Sequence, residues 1–268
     1  MVTANLNSTE PSTATPRLSL QCEPIAADTT TIRSLDWDRS RFDIEFGLRN
    51  GTTYNSFLVR GERTALIDTS HAKFRDTWIP LLTGEIDPGT IDQLIVSHTE
   101  PDHSGLIGDL LELNPDLEIV ASKVAIQFLQ NQVHRPFRSR AVKSGDALDL
   151  GVNPASGVHH RFEFLSAPNL HWPDTIFSFD HGTGILYTCD AFGLHYCSDA
   201  VYDSDPGAIA PDFRFYYDCL MGPNARSVLQ ALKRMDSLPD INTVAVGHGP
   251  LLREHVDHWI SDYRDWSG

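Results

Sequence analysis

Four side chains of the types that bind metal ions fall within six positions of the segment 98–103, HTEPDH. From the composition of the chain, His, acid, acid and His at this spacing would arise by chance in roughly one such chain in a hundred. The segment follows a short apolar run, Gln93–Val96, which we predict to be a strand. Loops after buried strands are where open α/β sheets place their sites. The segment therefore predicts a metal site; the plainer alternative is a solvated polar turn with a helix cap at Asp102.

Three more candidate ligands stand where other predicted strands end. His171 follows a predicted strand at 161–165, Asp190 follows one at 184–188, and His248 follows one at 241–246. Each of them alone is more often a cap or a satisfied polar residue. Together they place donors at the same, C-terminal ends of different strands, which is how one site is assembled from distant sequence. The candidate metal ligands are His98, Glu100, Asp102, His103, His171, Asp190 and His248.

Four imidazoles and three carboxylates suit two metal ions with three protein ligands each and one bridging carboxylate. Paired metals in enzymes lie ~3.5–4 Å apart, close enough for a carboxylate to bridge, and open positions remain for water or substrate. Hard oxygen ligands beside imidazoles favour iron or manganese. Zinc stays possible, since it has no strict geometric demand. Side-chain alternation along the predicted strand places Cys189 away from the cluster that Asp190 joins.

Composition excludes some classes of function and sets an expectation for the cellular compartment. The chain of 268 residues carries 21 basic and 36 acidic side chains, a net charge of −15, which argues against binding to nucleic acid or to anionic membranes. No apolar run approaches ~18 residues, and the N-terminus lacks the pattern of a secretory signal. Four scattered cysteines predict reduced thiols and a cytoplasmic protein. The acidic residues Asp199, Asp203 and Asp205 are expected at the solvated surface.

The order of predicted elements indicates a layered α/β fold in one domain. Residues 1–16 are rich in Ser, Thr and Pro and predict a flexible arm, and residues 17–268 predict the domain. Strands are predicted at 41–46, 54–59, 64–68, 93–96, 117–121, 161–165, 175–179, 184–188 and 241–246. Helices are predicted at 72–82, 105–113, 124–132, 225–238 and 251–263. Strands followed by alternating strands and helices, twice over, suggest two packed sheets with helices outside.

These motifs resemble the metallo-β-lactamase superfamily and, within it, the flavodiiron proteins. Most members of the superfamily carry H-x-H-x-D-H, whereas flavodiiron proteins carry H-x-E-x-D-H, as this chain does at Glu100. The segments 170–174 (LHWPD), 190–193 (DAFG) and 247–250 (GHGP), and the spacing between them, agree with the same family. The segment 54–59, YNSFLV, is most similar to flavodiiron proteins of oxygenic phototrophs such as cyanobacteria.

The resemblance implies an αββα sandwich and a division of the ligands between two iron ions. His98, Glu100 and His171 would hold one iron, Asp102, His103 and His248 the other, and Asp190 would bridge them. Asp190 and His195 are the catalytic candidates. His195 and Tyr196 match a segment that surrounds the ligands, although Leu194 stands where the family usually has Gln; an exposed loop histidine is the alternative for His195.

The resemblance also implies reduction of O2 to water, or of NO to N2O, with electrons from FMN. In the family the FMN is carried by a flavodoxin-like domain, which a flavin reductase domain follows in photosynthetic members. This chain ends about where the flavodoxin-like domain would begin, so we expect both domains to be absent from it. A flavin or NAD(P)H-linked donor and a head-to-tail homodimer, or a heterodimer with a paralogue, are implied as partners.

Two other functions are weighed against the reductase. The same fold with two zinc ions would hydrolyse thioesters, lactones or phosphodiesters. Glu100 in place of His is the feature that argues against this alternative. A domain that keeps the fold for regulation or interaction is the third possibility, but seven ligand positions have no structural need to persist together.

Overall fold

The structure is a computed structural model, and it describes residues 17–42 and 46–268. The arm predicted over residues 1–16 lies outside the described residues. Fourteen strands are described: β1 Leu18–Ala26, β2 Thr29–Asp36, β3 Arg41–Phe42, β4 Phe46–Gly47, β5 Thr52–Arg60, β6 Thr64–Ile67, β7 Gln93–Val96, β8 Glu118–Ala121, β9 Arg138–Ala141, β10 Ala147–Val152, β11 His159–Ser166, β12 Ile176–Asp180, β13 Ile185–Cys189 and β14 Thr243–Val246.

Seven α-helices connect or cover these strands: α1 Arg75–Glu85, α2 Pro101–Ser104, α3 Ile107–Leu113, α4 Lys123–Gln132, α5 Pro206–Tyr216, α6 Ala225–Met235 and α7 Val256–Ser267. A π-helical stretch, Tyr217–Met221, continues α5. Within the described ranges, no helix is both long and apolar enough to cross a membrane.

The strands form two main sheets. The first has the order β1-β2-β5-β6-β7-β8-β9, antiparallel up to β6 and parallel from β6 to β9. The second has the order β10-β11-β12-β13-β14, antiparallel except for the parallel pair β13 and β14. Parallel strands end at the same edge of a sheet, so the ends of β7 and of β13 and β14 supply two adjacent rims for a site.

The two sheets pack face to face, which explains why several strands are buried along their whole length. Every residue of β2, β7, β12, β13 and β14 is buried. The rings of Phe57 in β5 and Tyr187 in β13 meet across the layers, with centroids 5.1 Å apart. Asn55 of β5 also donates from Nδ2 to the carbonyls of Val246 and Gly249, both at 2.9 Å. With helices outside, the predicted αββα sandwich is confirmed.

The strand predicted over 41–46 is wrong in form. Arg41–Phe42 and Phe46–Gly47 are two short strands that pair with each other, with Phe42 opposite Phe46. An alternating pattern is shared by one strand and by the two arms of a hairpin, so periodicity cannot separate them. The pair brings both phenylalanines to the rim of the candidate site.

The last helix, α7, begins later than predicted, because the buried carboxylate of Asp203 accepts hydrogen bonds from the residues just before it. Leu251 forms an isolated bridge with Tyr202 and Leu252 forms one with Val244 of β14, and α7 begins at Val256. The carboxylate of Asp203 accepts the backbone N–H groups of residues 253–255 and the indole Nε1 of Trp259. Asp203 is 1% exposed, so its expected place at the surface is wrong. Its four hydrogen bonds replace the water that a buried carboxylate loses.

A buried cluster of one histidine and two aspartates joins the two sheets at the opposite end of β12 from the candidate ligand His171. His160 of β11 lies between Asp180, whose Oδ2 is 2.8 Å from Nδ1, and Asp28, whose Oδ2 is 3.3 Å from Nε2. Asp28 stands in the turn between β1 and β2, so this cluster ties the first sheet to the second. It involves the end of β12, whereas the ligand segment with His171 precedes the start of β12.

Candidate metal centre

The seven candidate ligands come from four segments that meet between the two sheets. The chain leaves β7 at Val96 and enters the one-turn helix α2 at Pro101, which places Asp102 and His103 inside the protein. His171 stands in the connection between β11 and β12, Asp190 directly follows β13, and His248 follows β14. The first sheet thus supplies four of the side chains and the second sheet supplies three.

One group consists of His98, Glu100 and His171. The Oε2 atom of Glu100 is 3.3 Å from Nε2 of His98 and 2.8 Å from Nε2 of His171. The Oδ2 atom of Asp190 is 3.5 Å and 3.1 Å from the same two nitrogens. One donor atom from each of these four residues lies within 4.8 Å of the other three.

The other group consists of Asp102, His103 and His248, again with donor atoms within 4.8 Å of one another. The Oδ2 atom of Asp102 is 3.5 Å from Nε2 of His103 and 3.2 Å from Nε2 of His248. The Oδ1 atom of Asp190 is 2.9 Å and 3.4 Å from these nitrogens. The two oxygens of Asp190 therefore face different groups, as a carboxylate that bridges two ions must.

The electrostatics of the cluster favour positive charge. Burial alone would lower the pKa of His98, but hydrogen bonds to Asp174 and Glu100 raise it to about 10. Burial is likewise outweighed at His103 by the charges of Asp102 and Asp190, and its pKa rises to about 9. Burial would raise the pKa of Asp190, yet His103 and the neighbouring imidazoles hold it well below its usual range. Cations, whether protons or metal ions, are thus stabilised here.

Hydrogen bonds behind the ligands fix which ring nitrogen is free. The buried carboxylate of Asp174 lies 3.2 Å from Nδ1 of His98, and Nδ1 of His248 donates to the carbonyl of Thr53 at 2.6 Å. A ring that donates from Nδ1 keeps the lone pair on Nε2 for a metal. Asp174 also accepts from the backbone and hydroxyl of Thr99, both at 2.8 Å, which holds its orientation.

His195 is buried beside the ligands, so the exposed-loop alternative is wrong. Its ring stacks on Phe42 with centroids 4.5 Å apart and meets Tyr216 edge-on at 4.9 Å. Nδ1 is 2.9 Å from the hydroxyl of Thr52, while Nε2 has no hydrogen-bond partner among the described side chains and backbone. Burial, and then the charge of His248, lower its pKa well below the usual range, so the ring is neutral. Leu194, where the family usually has Gln, is buried against Gly249.

A small cavity opens onto both groups. Its volume is about 10 Å³, room for one water-sized molecule. The described residues that line it are Phe42, Phe46, Glu100, His171, Asp190, His195, Tyr216, Leu220 and His248. Larger surface clefts, of about 370, 380 and 440 Å³, lie elsewhere, and their described lining residues include none of the seven candidate ligands. Tyr216 and Leu220 reach the cavity from the irregular end of α5, a type of helix distortion that is frequent at functional sites.

Cys189 departs from the position expected of it. Its φ of 54° and a register shift between Tyr187 and Cys189 interrupt the alternation of β13. As a result, its sulfur lies within 4.8 Å of a donor atom of His103 and of Asp190. The expected position of Cys189 is wrong because side chains alternate only where the backbone stays extended, and it is not extended at this last residue of the strand.

Sequence reasoning did not single out several residues of the site. Asp174 closes the LHWPD segment, and that segment is the signal that could have identified it. Asp68, at the end of β6, accepts the backbone N–H of Ser97 at 2.7 Å and so holds the start of the ligand loop. Thr52 and Tyr216 approach His195 from distant segments, and their positions follow only from the tertiary structure.

Comparison with known proteins places this architecture in a family. The family model described as ODP family beta lactamase matches residues 52–249. Putative diflavin flavoprotein A 3 of Nostoc sp. is 64% identical over 251 residues, which are 94% of this chain and 43% of that protein. The chain therefore spans less than half the length of this curated relative.

Two solved structures share the fold closely. A metal-soaked flavodiiron core from Synechocystis sp. has a TM-score of 0.87 at 34% identity, over 94% of this chain and 62% of that one. The 1–254 fragment of putative diflavin flavoprotein A 5 from Nostoc sp. has a TM-score of 0.85 at 35% identity, over 93% of this chain and 97% of the fragment. The chain belongs to the ODP family of beta-lactamase domains and, within it, to the flavodiiron proteins.

Proposed function

We propose that this domain holds two iron ions and reduces O2 to water, or NO to N2O, with electrons from a flavin donor. The observation that carries the proposal is the arrangement around Asp190, whose two oxygens face two separate groups of histidines and carboxylates. In this assignment His98, Glu100 and His171 hold one iron, and Asp102, His103 and His248 hold the other.

The chemistry of the donors fits such a pair of ions. The buried Asp102 has no well-aligned hydrogen bond in the described part of the chain, and its Oδ2 lies 3.2 Å from Nε2 of His248 and 3.5 Å from Nε2 of His103, two other candidate ligands. A buried carboxylate held in this way is costly unless a cation takes the place of the missing hydrogen bonds. Three carboxylates beside four imidazoles supply hard donors of the kind that iron prefers over an all-nitrogen site.

The protein's own residues would position the substrate, exclude bulk water from the cavity and donate hydrogen bonds. When bound, two ferrous ions would supply two of the four electrons that reduction of O2 to water needs, and a reduced flavin would supply the other two. Phe42, Phe46 and Leu220 form an apolar wall of the cavity and keep bulk water away from it. His195 lines the cavity, and its Nε2 has no hydrogen-bond partner among the described residues, so in the tautomer with the proton on Nε2 this ring would offer a hydrogen bond to an oxygen atom of the substrate.

The donor set supports the reductase over the hydrolase alternative, because three carboxylates stand beside four imidazoles. Glu100 supports the same choice, since a carboxylate here adds negative charge suited to oxidised iron.

The electron donor and the partner chain are part of the proposal. We infer that FMN in a flavodoxin-like domain, on this polypeptide or on its partner in a head-to-tail homodimer or heterodimer, would supply the electrons to the metal centre. A flavin or NAD(P)H-linked donor would reduce the FMN again. The four free cysteines in the described ranges support a reducing, cytoplasmic location.

Metal analysis followed by anaerobic stopped-flow measurements tests the proposal. Purified protein is loaded with iron(II), reduced by a chemical flavin donor, and mixed separately with O2 and with NO. The expected result is about two irons per chain and rapid consumption of one or both gases, and Asp190→Asn abolishes it. Zinc in the purified protein together with esterase turnover would favour the hydrolase instead.

A further inference from the structure

Cys189 lies beside the candidate metal centre, and its sulfur is a potential metal donor that is assigned to neither of the two proposed irons. It is the last residue of β13, it is 2% exposed, and its positive φ turns the side chain toward the cluster. Its sulfur, one ring nitrogen of His103 and one oxygen of Asp190 all lie within 4.8 Å of one another. Three donors at such mutual distances can share one ion after small side-chain adjustments.

Gly247 is what permits this approach. The Gly247 N–H donates to the carbonyl of Cys189 at 2.7 Å. A Cβ at Gly247 would lie 2.7 Å from Cε1 and 3.2 Å from Nδ1 of His103, and 3.2 Å from the carbonyl carbon of Cys189. Nδ1 of His103 is buried and has no hydrogen-bond partner among the residues that the structure describes. The backbone of β13 and the ring of His103 therefore pack together without a side chain between them.

The three donors suit a cation. Asp190 contributes a carboxylate and His103 an imidazole, and the sulfur of Cys189 lies within 4.8 Å of a donor atom of each. A thiol that coordinates a metal ion loses its proton outright, so the bound sulfur would be a thiolate.

We propose that His103, Cys189 and Asp190 form an alternative three-donor site for a thiophilic divalent cation of the zinc and cadmium class. Binding forms the metal–sulfur bond and breaks the S–H bond, and the thiol proton leaves to solvent, so one proton is released for each thiolate formed. The inference rests on the proposed metal centre, though not on its reaction. Since His103 and Asp190 belong to both sets, the soft ion competes with iron.

The consequence is a choice of metal that depends on one sulfur atom. Thiolate donors select zinc, cadmium and copper(I), while carboxylates and imidazoles accept iron and manganese. Removal of the Cys189 sulfur should weaken the binding of zinc and cadmium and leave the binding of iron and manganese almost unchanged.

Cobalt(II) is the probe for this site, since a cobalt–thiolate bond produces a charge-transfer absorption in the near ultraviolet. The full chain is stripped of metal and titrated anaerobically with cobalt(II) alone, and in a parallel series with cadmium(II) alone and manganese(II) alone. The variants are Cys189→Ser, with Cys197→Ser as a buried control that belongs to none of the donor groups found and Cys219→Ser as an exposed control.

The unaltered protein and both controls should show the charge-transfer band, and Cys189→Ser should lose it. Cys189→Ser should also bind cadmium(II) about tenfold or more weakly. Its manganese(II) affinity should change less than about threefold, which also shows that the variant folds. The inference is overturned if the charge-transfer band persists in Cys189→Ser, or if the unaltered protein binds cobalt(II), as its visible absorption shows, without any charge-transfer band. Either result leaves the proposed two-iron centre standing. If the unaltered protein binds none of the three ions, both the sulfur site and the two-iron centre are contradicted.

Discussion

At the scale of single residues, Asp190 decides what the centre can be. Each of its oxygens lies within 3.5 Å of two imidazole nitrogens, and the two pairs of imidazoles are different. A histidine at this place would offer one donor to one ion. The carboxylate offers two donors about 2.2 Å apart on one planar group, which suits two ions at bridging distance.

Asp174 is expected to act through His98. Asp174→Asn should weaken iron binding about 10- to 100-fold, because a carboxylate behind a ligand histidine fixes its tautomer and raises its basicity. Titration of metal-free protein with iron(II) measures the loss. Asp180→Asn is the matched control, since Asp180 is equally buried and holds His160 at 2.8 Å away from the centre. It should lower stability by about 1–3 kcal/mol with iron affinity unchanged, and equal losses of affinity in both variants would contradict this role.

Glu100 is expected to set the preference for iron. Glu100→His should shift metal content toward zinc and abolish O2 reduction, since an imidazole replaces a charged oxygen donor. Elemental analysis after loading with equal iron(II) and zinc(II) measures the shift. Glu112→His, at a side chain 66% exposed, is the control and should behave like the unaltered protein. Unchanged iron content and activity in Glu100→His would count against the assignment.

The sequence allowed a prediction of the seven candidate ligands, which the structure brings together, because metal donors are rare at these spacings and stand at strand ends. The same reasoning misplaced Cys189 and Asp203. The side chain of Cys189 depends on a left-handed backbone conformation at one residue, and Asp203 is buried because a helix start needs its oxygens. Neither property has a periodicity that could be recognised in the chain.

At the scale of elements, the close approach of β13 and β14 to α2 shapes the centre. Gly247 and Gly249 flank His248, and Gly249 has a φ of +86° that only glycine adopts without strain. The connections after strands, more than the strands themselves, hold the ligands at their distances.

Gly247 is the position at which this spacing can be tested. Gly247→Ala puts a methyl group 2.7 Å from Cε1 of His103, so the ring must move and iron affinity should fall about tenfold or more. Gly108→Ala is the control, since nothing lies within 4 Å of its added carbon in α3. It should raise stability by about 0.5–1 kcal/mol and leave iron binding intact. Iron titration and thermal unfolding of both variants separate the two effects.

Elements with strong periodicity were predictable, and those shaped by tertiary contacts were not. The helix at 225–238 is observed as α6, Ala225–Met235, and the strand at 93–96 is observed as β7. No helix was predicted where α5 lies, since Pro206 and Pro211 both fall within it. Pro206 is tolerated at the first turn, where its missing N–H has no partner to lose.

At the scale of the whole molecule, stability should depend on pH through the metal ligands. The pKa values of His98, His103 and His171 are raised to about 10, 9 and 10, from about 6.5 in an unfolded chain. Their protonation stabilises the metal-free fold fully below pH about 6.5, and this contribution is lost as the pH rises through about 9–10. Asp190, with its lowered pKa, contributes above its unfolded value and loses its contribution in acid.

The metal-free protein should therefore melt at a lower temperature at pH 10 than at pH 7. We expect a fall of more than about 4 °C, since about 1 kcal/mol corresponds to about 2–4 °C in a domain of this size. Calorimetry with and without manganese(II) measures it. The loaded protein should show a much smaller fall, because the ion occupies the lone pairs that protons would otherwise take. An identical pH dependence in both forms would contradict the linkage.

The architecture as a whole was predictable as two layered sheets, from the repeated order of strands and helices. The packing of one sheet on the other was not, since contacts such as Phe57 with Tyr187 join residues 130 positions apart. Pairing across layers depends on the shape of both faces, which no local pattern encodes.

The candidate metal ligands come from both sheets, four side chains from the first and three from the second, so bound ions would hold the two sheets together. An ion that binds only the folded protein stabilises the folded form by mass action. If the proposed irons are bound, iron scarcity in a growing cell would shorten the lifetime of the polypeptide, because chains without their ions would unfold between the two sheets and be degraded. The amount of the protein would then follow the iron supply without a dedicated sensor.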